Sequence, residues 1–522
     1  MNRQTKILTR LSALCFALLL AVSMFAITAF AAGIEENTGS ITVSGVEGGV
    51  SVRAYKVLDA NFDYDTQQTE DPLYVWSGAV QSWVRTNYSA YIGADNSVTE
   101  AFSKATADQV ATFYDAMAAA IKGGTVNLDA SGACTGSETI SNLSMGGYLI
   151  LIENGMKVYR PSAVSIVPEY NDTAKEWVMS TPTVAIKSSE PSIDKKVNED
   201  ISNDGHDSDK SDTGAVGDTV NYDLRADIPQ YPARALESKY TISDALPDGM
   251  TLVTDSIKVY GVSSSGVETD LTGSAAYTQT LDGTKGFTLN FIYADIKSYA
   301  KIHVDYNSTI NGNVVVGPNG NTNGAVLEYT NNPYVVNSYK TKDDSTAVYS
   351  YGIKVTKVNG TGTALSGAEF ALSQNVNSSD ALYFVKTGDG VYRLATDQTE
   401  AGATQTLAVG AGDNVKGQLT ISGLDLGTYY LTETKAPDGG YNKLNQAVTI
   451  EIKDDDLDGA PTSGTSDEFE DGYVALDVKN TKGFQLPTTG GMGTVVFTAG
   501  GIAIMGAAVF LFFILKRKTA KR

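Results

Sequence analysis

Three residue types are scarce in this 522-residue chain, which has two cysteines, two histidines and three tryptophans. Cys15 lies in an N-terminal apolar run, so Cys134 would be left alone if that run were removed, and no intramolecular disulfide could form. His206 and His303 have no nucleophile motif or zinc-ligand spacing near them, so we interpret them as a surface residue and a strand-face residue. The scarcity disfavours a disulfide scaffold, a zinc domain and a triad hydrolase.

Basic residues are also in the minority, with 39 Lys and Arg against 60 Asp and Glu and a formal net charge of -21. Both chain ends are basic, so the central part is more acidic than the whole. An acidic exterior repels nucleic acid and suits a solvated extracellular surface. We therefore expect no nucleic-acid partner.

The N-terminus has the three parts of a secretory signal. Arg3, Lys6 and Arg10 precede an apolar run at 11–30, and Ala29-Phe30-Ala31 has small-x-small spacing. This order predicts a signal peptide at 1–31 that is removed after Ala31. Lipidation at Cys15 is a weaker alternative, because no small residue stands immediately before it.

The C-terminus combines a short motif, an apolar run and a basic tail. The motif is Leu486-Pro487-Thr488-Thr489-Gly490, the run covers 491–515, and the tail covers 516–522. At about 1.5 Å per residue, a helix of this run can cross a hydrocarbon core of about 30 Å. The basic tail is expected to stay in the cytoplasm.

Such an order resembles the cell-wall sorting signal of Gram-positive surface proteins. The resemblance implies that a sortase cleaves the peptide between Thr489 and Gly490 and that the chain is its substrate. Contact with the membrane would then last only until sorting, and peptidoglycan would be the final attachment.

Between the two ends, the pattern predicts three β-domains at 32–187, 188–349 and 350–484. In the first, alternating residues at 41–43 and 50–54 flank Gly48-Gly49 and predict a strand pair. Ser97 and Glu100 form a capping-box signature that predicts a helical insertion at 101–121. Strands are expected again at 147–151 and 163–167.

The second and third segments follow a Ser/Pro-rich junction at 188–192. Short alternating strands, such as 220–224, 240–242 and 302–304, are separated by Gly, Asn, Asp and Pro. Because long helical periodicity is missing, a β-sandwich is favoured over α/β. The expected fold class is mainly β, with tandem immunoglobulin-like β-sandwich domains and a helical insertion in the first.

Strand parity places a lysine, a carboxyl and an asparagine at the ends of inward-facing apolar series. Alternate strand residues share a face, and this rule groups each polar residue with buried apolar neighbours. The groups are Ile353, Val355 and Lys357; Tyr429, Leu431 and Glu433; Leu476, Val478 and Asn480; Ile193, Lys195 and Val197; Tyr240, Ile242 and Asp244; and Leu327, Tyr329 and Asn331. Lys196, Asn332 and Lys354 remain as substitutes that parity disfavours.

Burial gives such a set a specific chemistry. It lowers a lysine pKa and raises a carboxyl pKa, so that a neutral amine can attack the asparagine carboxamide while the acid polarises it. Ammonia leaves and a Lys-Asn isopeptide bond remains, in a single turnover that needs no enzyme. The alternative is a lysine that extends to water, an asparagine in a turn and an ordinary surface acid.

Longer motifs extend the resemblance to whole domains. Leu365-Ser366-Gly367-Ala368-Glu369-Phe370 and the run from Gly427 to Gly439 resemble the collagen-adhesin B-type domain, although Gly440 is an extra residue before Tyr441. Ile193 to Val197 and Leu327 to Pro333 resemble the isopeptide-forming second domain of major pilins. With both termini, the chain resembles sortase-assembled pilus shaft proteins.

This resemblance implies two cross-links and the acids that promote them. One joins Lys195 to Asn331 with Asp244 as the acid. The other joins Lys357 to Asn480 with Glu433 as the acid.

The family also needs an acceptor lysine, which lies in a Tyr-Pro-Lys-Asn-like motif after a Trp-containing strand. Lys187 occupies that place after Trp177, but Ala185-Ile186 replaces Tyr-Pro and Ser188 replaces Asn. The resemblance therefore implies Lys187 as the inter-subunit acceptor. An ordinary solvated lysine remains the alternative.

Two acidic segments have weaker patterns. The run from Asp454 to Gly459 opens like a calcium loop, but Thr465 stands where the bidentate Glu is needed, so we interpret it as a solvated loop. The segment from Asn198 to Asp212 is interpreted as an insertion. No metal or cofactor is expected.

The leading hypothesis is a structural subunit of a covalently polymerised, wall-anchored pilus. Its expected partners are pilus-type and housekeeping sortases, neighbouring pilin subunits and peptidoglycan; host or bacterial surface ligands would bind loops that have no recognisable motif. The alternative is a monomeric wall-anchored adhesin or minor pilin in which Lys187 is inert. A surface enzyme is a third and weaker reading.

Overall fold

The computed structural model describes residues 38–63, 68–171, 173, 176–198, 210–376, 380–463, 469–483 and 504–511. These residues divide into two compact units. The first extends to Tyr349 without Val316–Asn319, and the second contains Val316–Asn319 and the chain from Ser350. Both units are mainly β, as the alternating patterns predict.

The N-terminal part of the first unit contains strands packed around two hydrophobic clusters. The strands are β1 (Thr38–Ser44), β2 (Ser51–Asp63), β3 (Gln68–Trp76), β4 (Gly132–Thr135), β5 (Thr139–Ser144), β6 (Gly146–Glu153), β7 (Val158–Tyr159), β8 (Ser162–Ile166), β9 (Pro168–Asn171), β10 (Glu176–Met179), β11 (Thr183–Ala185) and β12 (Ser188–Ser189). They form the sheets β11-β1-β5 and β3-β2-β6-β8, with β4 beside β2, and the pairs β10-β9 and β12-β7.

The two strands on either side of Gly48-Gly49 were predicted to pair with each other, and this prediction is wrong. Strands β1 and β2 both exist, but β1 pairs with β5 and β11, whereas β2 pairs with β3, β4 and β6. Ile41 of β1 and Val52 of β2 are buried in the same cluster. The turn therefore carries the chain from one sheet to the other across a shared core.

The helical insertion contains α1 (Gly78–Asn87), a 3-10 turn (Ser89–Tyr91), α2 (Glu100–Ser103) and α3 (Ala107–Lys122). The predicted capping box at Ser97 and Glu100 is wrong, because Thr106 caps α3 and exchanges hydrogen bonds with Gln109. The Ser97 hydroxyl instead donates to Asp95 over 2.6 Å. The expected single helix is thus two, and α1 was not predicted.

The second part of the first unit is a sandwich of two six-stranded sheets. Its strands are β13 (Ile193–Asn198), β14 (Ser211–Thr213), β15 (Thr219–Asp227), β16 (Tyr240–Ala245), β17 (Met250–Leu252), β18 (Lys258–Val262), β19 (Glu268–Asp270), β20 (Tyr277–Leu281), β21 (Gly286–Phe291), β22 (Lys301–Ile310), β23 (Asn321–Thr330) and β24 (Tyr339–Tyr349), with α4 (Tyr293–Ile296) between β21 and β22. One sheet has the order β13-β15-β22-β18-β19 with β17 beside β22, and the other has β14-β24-β23-β16-β21-β20.

The second unit is also a two-sheet structure. Its strands are β25 (Tyr351–Asn359), β26 (Glu369–Ser373), β27 (Phe384–Gly388), β28 (Val391–Leu394), β29 (Ala403–Thr404), β30 (Leu407–Ala408), β31 (Gln418–Leu424), β32 (Gly427–Lys435), β33 (Val448–Ile452) and β34 (Tyr473–Asn480). The sheets have the orders β29-β27-β28-β31-β25-β34 and β30-β26-β32-β33. Its first strand, β25, lies parallel to its last, β34.

Several predicted segments lie outside the described residues: the signal peptide, most of the insertion at 198–212 with His206, and the sorting motif at 486–490. The apolar run predicted at 491–515 is described only at 504–511, where it is helical. No helix in the described part of the chain is long and apolar enough to span a membrane.

Candidate covalent cross-link sites

The second unit brings the predicted residues Lys357, Glu433 and Asn480 together in its core. Parallel pairing sets Lys357 beside Val478 and Asn359 beside Asn480, so the lysine side chain points along the sheet toward Asn480. Lys357 Nζ hydrogen-bonds Asn480 Oδ1 and donates to the Val478 carbonyl oxygen over 2.9 Å. The three side chains are buried, at 0%, 1% and 1% exposure.

Glu433 holds the other end of the asparagine amide. Asn480 Nδ2 donates to the carboxylate oxygens of Glu433 over 2.8 and 3.1 Å and to the Asn442 carbonyl oxygen over 2.6 Å. Glu433 also lies 3.7 Å from Lys357 Nζ. The carboxyl group therefore reaches both the amine and the amide nitrogen that would leave as ammonia.

Electrostatics in this core favour an uncharged amine. Burial lowers the pKa of Lys357, while the negative charge of Glu433 opposes that change. A lowered amine pKa increases the fraction of lysine that has a free lone pair at neutral pH. The arrangement can thus present a nucleophile, a carboxamide and a proton carrier in one dry site.

The middle sandwich buries a second lysine and acid. Lys195 is 0% exposed and Asp244 is 4% exposed. Lys195 Nζ hydrogen-bonds Asp244 Oδ2 and donates to the Tyr306 hydroxyl over 2.7 Å. Burial lowers the pKa of Lys195 and raises that of Asp244, although the attraction between the two groups opposes both changes.

Asn323, which sequence reasoning missed, is the asparagine at this site. Its side chain is 0% exposed, and its Nδ2 donates to the Tyr306 hydroxyl over 2.8 Å, so that one hydroxyl contacts both Lys195 and Asn323. Asn323 is also among the groups that lower the pKa of Asp244 by hydrogen bonding. Two buried acceptor atoms, Asp244 Oδ1 and Asn323 Oδ1, have no hydrogen-bond partner among the described residues.

Asn331 does not lie beside Lys195, so its predicted placement needs correction. Strands β16 and β23 are antiparallel, with Tyr240 opposite Tyr329 and Asp244 opposite Ala325. At about 3.4 Å per residue, Asn331 lies about 20 Å along the strand from the level of Asp244, whereas Asn323 lies about 7 Å from it. The Asn331 amide instead donates to the Gly155 carbonyl oxygen over 2.7 Å.

A signal for Asn323 was present in the sequence. Asn323, Ala325, Leu327, Tyr329 and Asn331 share one strand parity, so parity alone admits both asparagines. Antiparallel pairing of the two strands would have selected the one at the start of β23, because Asp244 lies near the end of β16.

Lys187 lies in an exposed segment of the first unit. Its carbonyl oxygen accepts from the Arg160 backbone N–H over 2.9 Å, and the following strand β12 pairs with β7. Ile186, immediately before it, is buried and donates its backbone N–H to Ser44. The backbone at this lysine is therefore fixed on both sides.

In the part of the chain that the structure describes, two clusters have side chains of the types that bind metals. His303 lies 2.8 Å from Asp305 and 3.1 Å from Asp223 through Nε2, and 2.9 Å from Glu268 through Nδ1. Asp454, Asp456 and Asp458 also lie together. Hydrogen bonds already engage the buried members: Asp454 accepts from the Tyr351 hydroxyl and the Gly459 N–H, each over 2.7 Å.

Family models match three parts of the chain. A Gram-positive pilin backbone subunit 2, Cna-B-like domain matches residues 216–333, and a prealbumin-like fold domain matches 351–463. An LPXTG cell wall anchor motif matches 478–521, which includes Leu486 to Gly490. Together, these matches support a sortase-assembled major pilin of Gram-positive bacteria.

A curated relative and a solved structure each match most of the length of the pilin. The trypsin-resistant surface T6 protein of Streptococcus pyogenes serotype M6 is 25% identical, over 97% of this chain and 99% of that protein. The solved structure of the T6 backbone pilin of serotype M6 Streptococcus pyogenes has a TM-score of 0.57 and 18% identity, with 86% of this chain and all of that chain covered. The latter similarity concerns the fold alone.

These matches confirm several predictions from the sequence. The pilin is a structural subunit rather than an enzyme, it is anchored to the cell wall at the cell surface, and its partners include a sortase and other pilin subunits.

Proposed function

We propose that this pilin is a shaft subunit that closes two intramolecular isopeptide bonds and is then joined to its neighbours through Thr489 and Lys187. The observation that carries the proposal is the buried set of Lys357, Glu433 and Asn480, in which amine, acid and carboxamide contact one another. The family match supports polymerisation over a monomeric adhesin.

In the second unit, Lys357 Nζ attacks Asn480 Cγ. A C–N bond forms, the bond from Cγ to Nδ2 breaks, and the proton lost by the amine passes through the Glu433 carboxyl to the departing nitrogen, which leaves as ammonia. Enforced proximity replaces a bimolecular encounter, and the carboxyl acts as a proton shuttle. The reaction consumes its own reactants and occurs once per chain.

In the middle sandwich, Lys195 and Asn323 undergo the same exchange with Asp244 as the acid. Asn323 replaces Asn331 in this proposal because the Tyr306 hydroxyl contacts both Lys195 and Asn323. Asp244, when protonated, can donate from Oδ1 to the Asn323 carbonyl oxygen, and this bond would satisfy both unpartnered atoms.

Polymerisation requires a donor and an acceptor. A pilus-type sortase cleaves between Thr489 and Gly490 and forms an acyl bond to Thr489; the Lys187 amine of a neighbouring subunit then displaces the sortase thiolate. A housekeeping sortase transfers the finished fibre to peptidoglycan. The exposed position of Lys187 supports the acceptor role.

The proposed domain division is 32–187, 188–349 and 350–484 after removal of the signal peptide at 1–31, with the sorting signal at 485–522. The break between the two compact units, at Tyr349 and Ser350, supports the second boundary. Host or bacterial surface ligands would be an additional class of partner for the assembled fibre.

The test of polymerisation is a wall extract boiled in detergent. Wild-type protein should give a ladder of high-mass species, and Lys187→Ala should give a single band. A matched control is Lys104→Ala, which changes an exposed lysine of the helical insertion. A persistent ladder in the Lys187 variant would exclude that lysine as the acceptor.

A further inference from the structure

The loop Gly155–Lys157 of the first domain is held from its own side by Glu47. One carboxylate oxygen of Glu47 accepts from the backbone N–H of Met156 over 2.9 Å and from that of Lys157 over 3.1 Å. The same oxygen accepts from the Tyr159 hydroxyl over 2.9 Å. These bonds leave the carbonyl oxygens of the loop to other partners.

The middle domain supplies those partners from the end of β23. The Tyr329 hydroxyl donates to the Met156 carbonyl oxygen over 2.5 Å, and Asn331 Nδ2 donates to the Gly155 carbonyl oxygen over 2.7 Å. Both side chains are buried, at 0% and 3% exposure. The loop is therefore clamped between two domains by hydrogen bonds, of which the one from Asn331 is buried and those of Glu47 and Tyr329 are partly buried.

Asn331 is itself fixed in orientation. Its Oδ1 accepts from the Ser338 hydroxyl over 2.8 Å, and its backbone N–H donates to the Ser338 carbonyl oxygen over 3.1 Å. Three residues later, Tyr334 packs into the core cluster of the first domain, and its hydroxyl donates to Asp115 over 3.0 Å. The segment Tyr329–Tyr334 thus contacts the first domain at two separate places.

The clamped loop leads directly to the backbone around Lys187. Strand β7 (Val158–Tyr159) pairs with β12 (Ser188–Ser189), and the Arg160 N–H donates to the Lys187 carbonyl oxygen over 2.9 Å. Asn331 is therefore connected to the backbone at Lys187 by its hydrogen bond to Gly155, the short covalent chain from Gly155 to Arg160, and the hydrogen bond from Arg160 to Lys187.

We propose that Asn331 is a positioning residue for the acceptor lysine, because it locks the loop that holds the Lys187 backbone in place. This inference rests on the proposed acceptor role of Lys187. A misplacement of about 1 Å can slow a bond-forming step by as much as about 100-fold, so loss of the clamp should slow acceptance without abolishing it. Asn331 takes no part in the chemistry.

The test separates donor from acceptor within intact chains. One full-length chain with Lys187→Ala serves only as donor, and a second, tagged full-length chain with Thr489→Ala serves only as acceptor. The two are produced together with the pilus sortase, and the tagged cross-linked dimer is measured. Each acceptor chain has one further substitution: Asn331→Ala, Asn331→Asp or Lys187→Ala. The matched control is an acceptor chain with Thr322→Ala, at an exposed position of β23.

Asn331→Ala and Asn331→Asp should lower the dimer yield by about 10-fold, within the range that misplacement allows, while Thr322→Ala leaves it unchanged. Intact mass should show both ammonia losses in every acceptor, which reports that the middle sandwich still folds and reacts. As donors, chains with Asn331→Ala should be cleaved at Thr489 at the wild-type rate when hydroxylamine replaces the acceptor.

The positioning role would be overturned if Asn331→Ala and Asn331→Asp gave the wild-type yield of dimer while Lys187→Ala gave none. The assignment of Lys187 as the acceptor would then still stand. An undiminished yield with Lys187→Ala would overturn the acceptor assignment itself. Loss of an ammonia deficit in both Asn331 variants would also overturn the inference, because the residue would then act in the cross-link of the middle sandwich.

Discussion

Asn323 and Lys195 meet at a single atom, the Tyr306 hydroxyl, which accepts from Lys195 Nζ over 2.7 Å and from Asn323 Nδ2 over 2.8 Å. The Tyr306 ring is stacked on Tyr222 at 4.9 Å, and Lys195 Nζ lies 5.0 Å from the centre of the Tyr222 ring. These rings help to bury the amine, and burial lowers the pKa of Lys195.

This arrangement predicts which asparagine loses ammonia. Asn323→Ala should restore one ammonia to the intact mass of the exported chain, because its carboxamide is the proposed acyl group. Asn331→Ala should restore none, since its amide faces Gly155. Intact-mass spectrometry of the two variants and the wild type identifies the asparagine that is joined to Lys195. If Asn331→Ala restored one ammonia and Asn323→Ala restored none, Asn331 would be that residue.

The cross-link of the second unit should contribute strongly to stability. Lys357→Met removes the amine and leaves Glu433 hydrogen-bonded to Asn480, and closure of a loop of roughly 100 residues is worth about 4.7 kcal/mol in the chain-entropy model developed for disulfides. We expect the free energy of unfolding of this unit to fall by about that amount, so that its unfolding midpoint moves to a lower guanidinium concentration. Lys354→Met, an exposed change on the same strand, is the control, and equal midpoints would contradict the staple.

The ion-pair network on the middle sandwich predicts a loss of stability in acid. Burial alone would raise the pKa of Asp223, but hydrogen bonds from His303 and Arg225 hold it at about 2, below its usual 3.8. An acid with a depressed folded-state pKa stabilises the fold above its unfolded pKa, and this contribution is lost as the pH falls through the folded pKa.

Between pH 7 and pH 2, the wild type should therefore lose about 2 kcal/mol more unfolding free energy than Asp223→Asn. Urea unfolding of both chains at each pH measures the difference. Parallel losses in the two chains would show that Asp223 has no such role.

The capping box of α3 offers a local test. Thr106→Ala removes the side-chain acceptor for the Gln109 N–H, and loss of an N-cap costs about 1 kcal/mol. Amide hydrogen exchange in the first turn of α3 should accelerate several-fold, because local opening becomes easier. Ser97→Ala changes the N-cap that the sequence predicted and should leave amide exchange in that turn unchanged. If Ser97→Ala accelerated exchange and Thr106→Ala did not, the capping box predicted from the sequence would be correct.

By itself, the sequence determined the features that depend on local order and spacing. Charge and hydropathy at both ends indicated export and sorting, alternation indicated a mainly β fold, and parity placed Lys357, Glu433 and Asn480 on buried faces. These features could be predicted because a strand repeats every two residues and because neighbouring parallel strands keep equivalent residues level.

Only the tertiary structure decided which distant residues meet. Parity assigned Asn323 and Asn331 to one face, and antiparallel pairing of β16 with β23 then brought the first to Asp244 and carried the second to Gly155. The partner of β2, the N-cap of α3 and the contact of Asn331 with the first domain likewise follow from packing between segments far apart in the chain. Periodicity determines which face of a strand a residue lies on, but the residue it meets on the next strand depends on how the two strands are paired.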